Sequence, residues 1–222
     1  MIEKILPPRY RIWPIHPLPQ KDELLSSWLI RTAHANKFKV HDFYKLYFGK
    51  NKQLWNRDID LFTPPWLIEI LKFYFQWESE KISNLTMSSY EEIIFPDYAF
   101  NRATIKGILN IGIYHRSRQS FGLQYCPLCL KEDLTPYYRK RWRLSYMTIC
   151  HKHHIHLLDR CSHCSAPIMP HRIDMINKSY LQQDISLQVC AICRKSLTSL
   201  KNITTPNQNE LYLMRKITNA IN

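Results

Sequence analysis

Glycine is scarce in this chain: four in 222 residues, at positions 49, 107, 112 and 122. Loops that cradle phosphates need backbone approach that only glycine allows. Gly107 and Gly112 have the spacing of a phosphate-binding loop, but Ile113 and Tyr114 stand where Lys and Ser/Thr are required. NTPase and dinucleotide chemistry are thereby excluded. Long apolar runs are missing too. A membrane span needs roughly 18 apolar residues, and the richest stretch, residues 66–75, contains Glu69 and Lys72. Residues 1–9 hold no apolar core of signal-peptide length before Pro7 and Pro8 interrupt them, so a reducing cytoplasm is the expected compartment. Carboxylates are the third shortage, and a local one. Residues 101–222 carry 6 Asp/Glu against 18 Lys/Arg, while residues 1–100 carry 12 against 13.

Apolar residues (45%) outweigh charged ones (22%), enough to offset chain ordering, so the chain is globular, with room for one domain or two small ones. The net +13 sits almost wholly in the second half, and that asymmetry points to a polyanionic partner, nucleic acid or an anionic membrane surface.

All seven cysteines fall between positions 126 and 193, in pairs: Cys126-Pro-Leu-Cys129, Cys150-His-Lys-His153, Cys161-Ser-His-Cys164 and Cys190-Ala-Ile-Cys193. A two-residue gap lets a tight turn aim two ligands at one ion, and zinc takes four tetrahedral N/S ligands, so four pairs supply two sites per chain. His153 is the eighth ligand, although His151, His154 and His156 crowd the same stretch. Pairing neighbours gives Cys126, Cys129, Cys150 and His153, then Cys161, Cys164, Cys190 and Cys193; a crossed pairing of the first knuckle with the third is the alternative. A disulfide framework would expect an even count and an oxidising compartment. Fully occupied sites leave no open position for activating water, so the metal should hold the fold, and the bound thiolates lower the net charge to about +10.

Between the first two pairs, Arg139, Lys140, Arg141 and Arg143 alternate with Tyr137, Tyr138 and Trp142. Cations for phosphates beside flat rings for stacking predict a nucleic-acid contact, which Arg116 and Arg118 would extend. The plainer expectation is a strand with Trp142 and Leu144 facing the metal core and the arginines solvated.

Upstream, Pro7, Pro8, Pro14, Pro17 and Pro19 with Tyr10 and Trp13 predict an extended arm over 1–21. Leu24, Leu25, Trp28, Leu29 and Thr32 predict a helix from Asp22 with Glu23 in its first turn; Val40, Phe43, Tyr44 and Tyr47 predict a second that Gly49 ends. A third is expected from Thr63 as N-cap with Pro64 at the first position, then a break at 76–78 and a short helix from Ser79. Helix, turn, helix is the outline, although Ser79–Asn84 makes a poor groove reader. The domains expected are the arm, a helical domain over 22–100, a connector over 101–125 whose Thr104 to Tyr114 pattern fits helix or strand, a metal-ribbon domain over 126–200, and a terminal helix or tail over 201–222 with Leu211, Met214, Ile217 and Ile221 on one face.

In order, the Pro-rich arm, Asp22-Glu-Leu-Leu-Ser-Ser-Trp-Leu-Ile-Arg31, the Cys126 pair, Pro136-Tyr-Tyr-Arg139, Trp142-Arg-Leu144, the Cys150 pair and Cys161-Ser-His-Cys164 resemble the TniQ family of transposition proteins, which includes the TnsD target selectors. His151 stands where that family often has proline, and Ser165 where glycine is common. The resemblance implies a mostly α N-terminal helix-turn-helix-like domain followed by a small α+β tandem zinc-ribbon domain. It implies a non-enzymatic adaptor that picks an insertion site and recruits an AAA+ ATPase of the TnsC or TniB type, which regulates the transposase on DNA. Short members serve RNA-guided transposons, linking a CRISPR effector with its guide RNA to that ATPase; the sequence by itself shows no such partner. The near-neutral N-terminal half suits the protein contact, with Trp13, Trp28 and Arg31 as its expected residues. The alternative is a stand-alone sequence-specific DNA-binding zinc protein. A metal-dependent nuclease would need acidic company for the histidines, and Asp159 and Asp174 supply little.

Overall fold

The computed structural model describes residues 13–52, 54–91, 93–95, 105–111, 121–175 and 185–221. Six α-helices occur in that part: α1 (Leu25–Ala35), α2 (Val40–Phe48), α3 (Pro65–Phe75), α4 (Ser79–Ser83), α5 (Pro127–Glu132) and α6 (Gln208–Ile221). Between them are 3-10 turns at Met87–Tyr90, Lys140–Arg143 and Pro170–Arg172. Strand pairing among the described residues is confined to isolated bridges. Pro7, Pro8, Tyr10, Thr104, Ile113, Tyr114, Arg116 and Arg118 lie outside the described residues.

α1 begins three residues later than the apolar spacing predicts. Asp22 takes a left-handed φ of 63°, and Glu23, rather than joining the first turn, is extended and paired with Arg139. The Glu23 carboxylate is buried and fully used: it accepts from the Gln20 N–H at 2.8 Å, the Ser27 hydroxyl at 2.9 Å and the Arg31 guanidinium at 2.8 and 2.7 Å. A buried carboxylate needs such partners more than it gains from a helix dipole. α2 ends at Gly49, whose φ of 81° favours glycine. Its start is tied to distant chain: Asp174 accepts from the Val40 N–H at 2.7 Å and holds His34, at the end of α1, at 3.0 Å. α3 has Pro64 as its extended N-cap residue and Pro65 at its first position, because the Thr63 hydroxyl donates back to the Ile59 carbonyl at 2.7 Å and does not cap. Gln76, left-handed at φ 53°, breaks the chain before α4.

Trp13 belongs to the core. It is 1% exposed, and its indole meets Trp28, Phe43, Tyr44, Tyr47, Phe48, Tyr74 and Phe75 with centroids 4.8–6.2 Å away. The arm thus plugs the gap between α1, α2 and α3. The same buried cluster continues through Tyr125, Leu130, Tyr138, Trp142 and Leu144 to the cysteines and to Met214 of α6. Gly122 is the second glycine with a steric reason: a Cβ there would fall on the Asn110 carbonyl.

Because Trp13 fills the aromatic core, Trp13→Ala should destabilise the chain by about 3–5 kcal/mol. The urea midpoint reads this, and an unchanged midpoint would show that the arm only rests on the surface.

Candidate metal centres and the basic turn

Two groups of four ligand atoms converge, each within 4.8 Å of one another: Cys126, Cys129, Cys150 and His153, and Cys161, Cys164, Cys190 and Cys193. First pairs with second and third with fourth; the crossed pairing does not occur. The geometry can be checked against a tetrahedron. With metal–sulfur bonds of about 2.3 Å and metal–nitrogen bonds of about 2.0–2.1 Å, S···S edges come to about 3.8 Å and S···N edges to about 3.5 Å. In the first group Cys129 Sγ lies 3.6 Å from Cys150 Sγ, and His153 Nδ1 lies 3.3, 3.3 and 3.5 Å from the three sulfurs. In the second, Cys161–Cys193 and Cys164–Cys190 are 3.7 and 3.8 Å apart. Each group fits one tetrahedral ion with no open position.

Local backbone rules build these sites. Three of the four pairs share one turn. The Cys150, Cys161 and Cys190 carbonyls accept from the N–H four residues on at 2.8, 2.9 and 3.1 Å, and their own N–H groups donate to the carbonyl five residues on at 2.8, 2.9 and 3.0 Å. Closing that turn puts His154, Ser165 and Arg194 at φ 52°, 58° and 63°, which explains why a glycine would suit position 165. The first pair is built differently: Cys126 precedes α5, Pro127 takes its first position, and Cys126 Sγ accepts from the Cys129 N–H at 3.4 Å. His153 faces the metal group with Nδ1 and places Nε2 2.9 Å from Glu132, which Lys152 meets at 2.6 Å; a carboxylate behind a ligating imidazole fixes its orientation. His151 and His154 instead line a cleft against Met214 and Thr218 of α6.

The basic run is neither a strand nor a solvated face. It is a 3-10 turn whose cations are committed inside the protein. Arg139 pairs with Asp133 at 2.7 Å and lies over the Tyr137 and Trp142 rings. Lys140 is buried and donates to the Ser89 hydroxyl at 2.6 Å; burial lowers its pKa. Arg141 bonds Asp22 at 2.6 Å. Arg143, fully buried, reaches Asp58 at 2.5 Å and the Leu109 carbonyl at 2.7 Å, with Asp60 3.7 Å away. Burial and neighbouring Asp58 raise the Asp60 carboxyl to about 6, against the pull of Arg143. The backbone locks the same seam: Leu24 N–H donates to the Tyr138 carbonyl at 2.9 Å, Lys140 N–H to the Asp22 carbonyl at 2.7 Å, and Tyr138 N–H to the Ser27 hydroxyl at 3.0 Å. Phosphate contact by Arg139, Lys140, Arg141 and Arg143 therefore gives way to an internal clasp: acids of residues 1–100 fold onto Arg141 and Arg143, Asp133 takes Arg139, and the Ser89 hydroxyl takes Lys140.

The expected partner residues are occupied in the same manner. Trp13 and Trp28 are core, the Trp28 indole N–H donating to the Pro17 carbonyl at 2.7 Å. Arg31 is buried with Glu23. Any partner surface on the helical half is built from other side chains. Asp22, Asp58 and Asp60, which face Arg141 and Arg143, are site residues that the sequence reading missed; the even balance of acids and bases before residue 100 was their signal.

A model of the TniQ family matches residues 14–157. The chain belongs to the TniQ family. TniQ proteins are transposition-associated target-selection proteins. The TniQ match takes in Trp13's neighbours, the clasp and the whole first metal group, and it ends before Cys161, so the second group and α6 lie beyond it. A comparison with curated proteins finds no match. Among the described residues no helix is long and apolar enough to cross a membrane.

Metal analysis of this TniQ protein purified without added metal should find two tightly held ions per chain, falling to one in Cys190→Ser. One ion in the parent, or a Cys126–Cys129 disulfide, would contradict the two-site geometry.

Proposed function

We propose that this TniQ protein is a non-enzymatic adaptor, held together by two structural zinc ions, that links a target-recognition complex and DNA to an AAA+ ATPase regulator of the transposase. Family membership over residues 14–157 carries the reading. The metal groups support it, because sulfur-rich, four-coordinate donor sets suit structural zinc and leave no site for substrate. Zinc at such a site supplies folding free energy, and the eight ligands orient the turns around it.

The helical half is the proposed ATPase contact, through surface apolar side chains in place of buried Trp13 and Trp28. Leu46 on α2 is 64% exposed and Phe73 on α3 is 52% exposed, the first next in sequence to Tyr47, which packs half-buried against the core, the second next to the buried Tyr74. Rigidly backed apolar side chains suit interface anchors. α4 is given no base-reading role: it has five residues, and its Lys81 lies over the Trp77 ring at 4.6 Å. Whether the target-recognition complex is an RNA-guided effector or a DNA-binding protein, the adaptor reading asks the same of this chain: contact without chemistry.

Co-sedimentation with the ATP-bound ATPase on DNA tests this. Leu46→Asp with Phe73→Asp should weaken recruitment by about tenfold or more, the loss of one or two interface anchors, with metal content intact. Undiminished recruitment would move the contact elsewhere; DNA cleavage or ATP hydrolysis by the purified chain would overturn the adaptor reading, and protection of a defined sequence without any partner would favour the stand-alone DNA-binding alternative.

A further inference from the structure

One groove of about 290 Å³ is used neither by the clasp nor by the metal groups. It runs between α2, the loop after Gly49 and the Pro170–Arg172 turn. Lys45, Lys50, Lys52 and Arg172 line it, and among the described residues no Asp or Glu does. Lys45, Lys50 and Lys52 are exposed, and Lys52 also lies 5.4 Å from the Trp66 ring. Four cations around one concavity repel one another unless an anion enters.

Its wall gives an independent sign of a missing partner. His41, Trp55 and His171 line the groove as a cluster of rings, Trp55 stacked on His171 at 5.5 Å and 1°, and His41 6.4 Å from each. His171 is only 8% exposed. The buried His41 Nε2, Trp55 Nε1 and His171 Nε2 atoms all lack a hydrogen-bond partner. A buried polar group left unpaired costs about 1–3 kcal/mol, so three at one place call for a ligand. The imidazoles are held neutral: burial, then Arg172 and His41, push His171 down to about 3, and burial lowers His41 despite Asp174 and Asp42 nearby. Asp174 is already committed to His34 and the Val40 N–H. Neutral imidazole nitrogens and an indole N–H offer directional bonds, while the lysines and Arg172 offer charge.

We propose that this groove binds backbone phosphates of a single nucleic-acid strand, with Lys45, Lys50, Lys52 and Arg172 as the cationic contacts and the His41–Trp55–His171 wall as the polar floor. The site deepens the adaptor reading by locating its nucleic-acid contact and rests on that reading for the choice of a strand over a free phosphate compound. It also moves that contact from the Arg139–Arg143 turn, whose cations are paired internally.

The test uses the full, metal-loaded chain without ATPase, so its failure is distinct from failure of recruitment. Fluorescence anisotropy of a labelled oligothymidylate is followed across a salt series. Changing Lys45, Lys50, Lys52 and Arg172 together to Gln should weaken binding about tenfold or more and reduce the salt slope by about 1.4, two single-strand phosphates at about 0.7 each. Changing the exposed Lys131, Lys195, Lys201 and Lys216 to Gln removes equal charge and should alter affinity by less than about threefold. Trp55→Phe, which keeps an aromatic ring but removes the indole N–H, should weaken binding by about tenfold or more, one hydrogen bond to a charged group, and carries the test if the quadruple groove variant does not fold. Equal losses in the two quadruple variants, or undiminished binding in the groove variants, would overturn the site. Displacement of the strand by inorganic pyrophosphate at micromolar concentration would overturn a strand ligand in favour of a free phosphate compound, and equal competition by polyglutamate would overturn phosphate chemistry.

Discussion

The seam between residues 22–27 and 137–143 is the constraint on which the rest depends. The core of the N-terminal half is three aromatic helices closed by Trp13, and the C-terminal half is a set of short turns with α5 and α6, its strand pairing among the described residues confined to isolated bridges. What joins them is a set of polar contacts between the halves: Asp22 with Arg141 and the Lys140 N–H, Ser27 with the Tyr138 N–H, Asp58 with Arg143. Breaking one partner of a buried pair typically costs about 3–5 kcal/mol, whereas the intact pair is roughly neutral against an apolar substitute. The seam therefore fixes how the halves dock more than it adds stability.

The metal groups stand to the C-terminal half as Trp13 stands to the N-terminal half. His154, Ser165 and Arg194 occupy left-handed backbone at about 1–2 kcal/mol each. A structural zinc site contributes on the order of 10 kcal/mol, so zinc at both groups would offset that strain with a wide margin. Tyr138 donates to the Leu187 carbonyl at 3.2 Å and Gln188 to the Leu130 carbonyl, which carries the second metal group onto α5 and the clasp.

The parts of this architecture set by short-range rules were legible in the sequence. Two-residue gaps between Cys/His pairs named the eight side chains that converge in two groups of four, and the apolar spacing with Gly49 as its end pointed to α2. Helix starts shifted by one to three positions where a side chain found a better use than capping, as with Glu23 and Thr63. What could not be read was long-range pairing. Arg139 to Arg143 look the same in sequence whether they meet phosphate or Asp22, Asp58 and Asp133; only the fold brings acids more than 80 residues upstream onto Arg141 and Arg143. Trp13 looks like a recognition residue on an arm until α1 to α3 surround it. The groove at Lys45 to Arg172 was invisible for the same reason, its two walls being more than 100 residues apart.

If the clasp makes the halves one cooperative body, metal and helices must be lost together. Chelator-driven metal release, followed by absorbance of a released-metal indicator alongside near-UV circular dichroism, tests this directly. The near-UV signal of the packed aromatic rings around Trp13 and Trp28 should disappear in step with the last metal ion, with coincident midpoints. Retention of the full aromatic signal by metal-free protein would contradict a single body and show the seam to be a loose contact between independent domains.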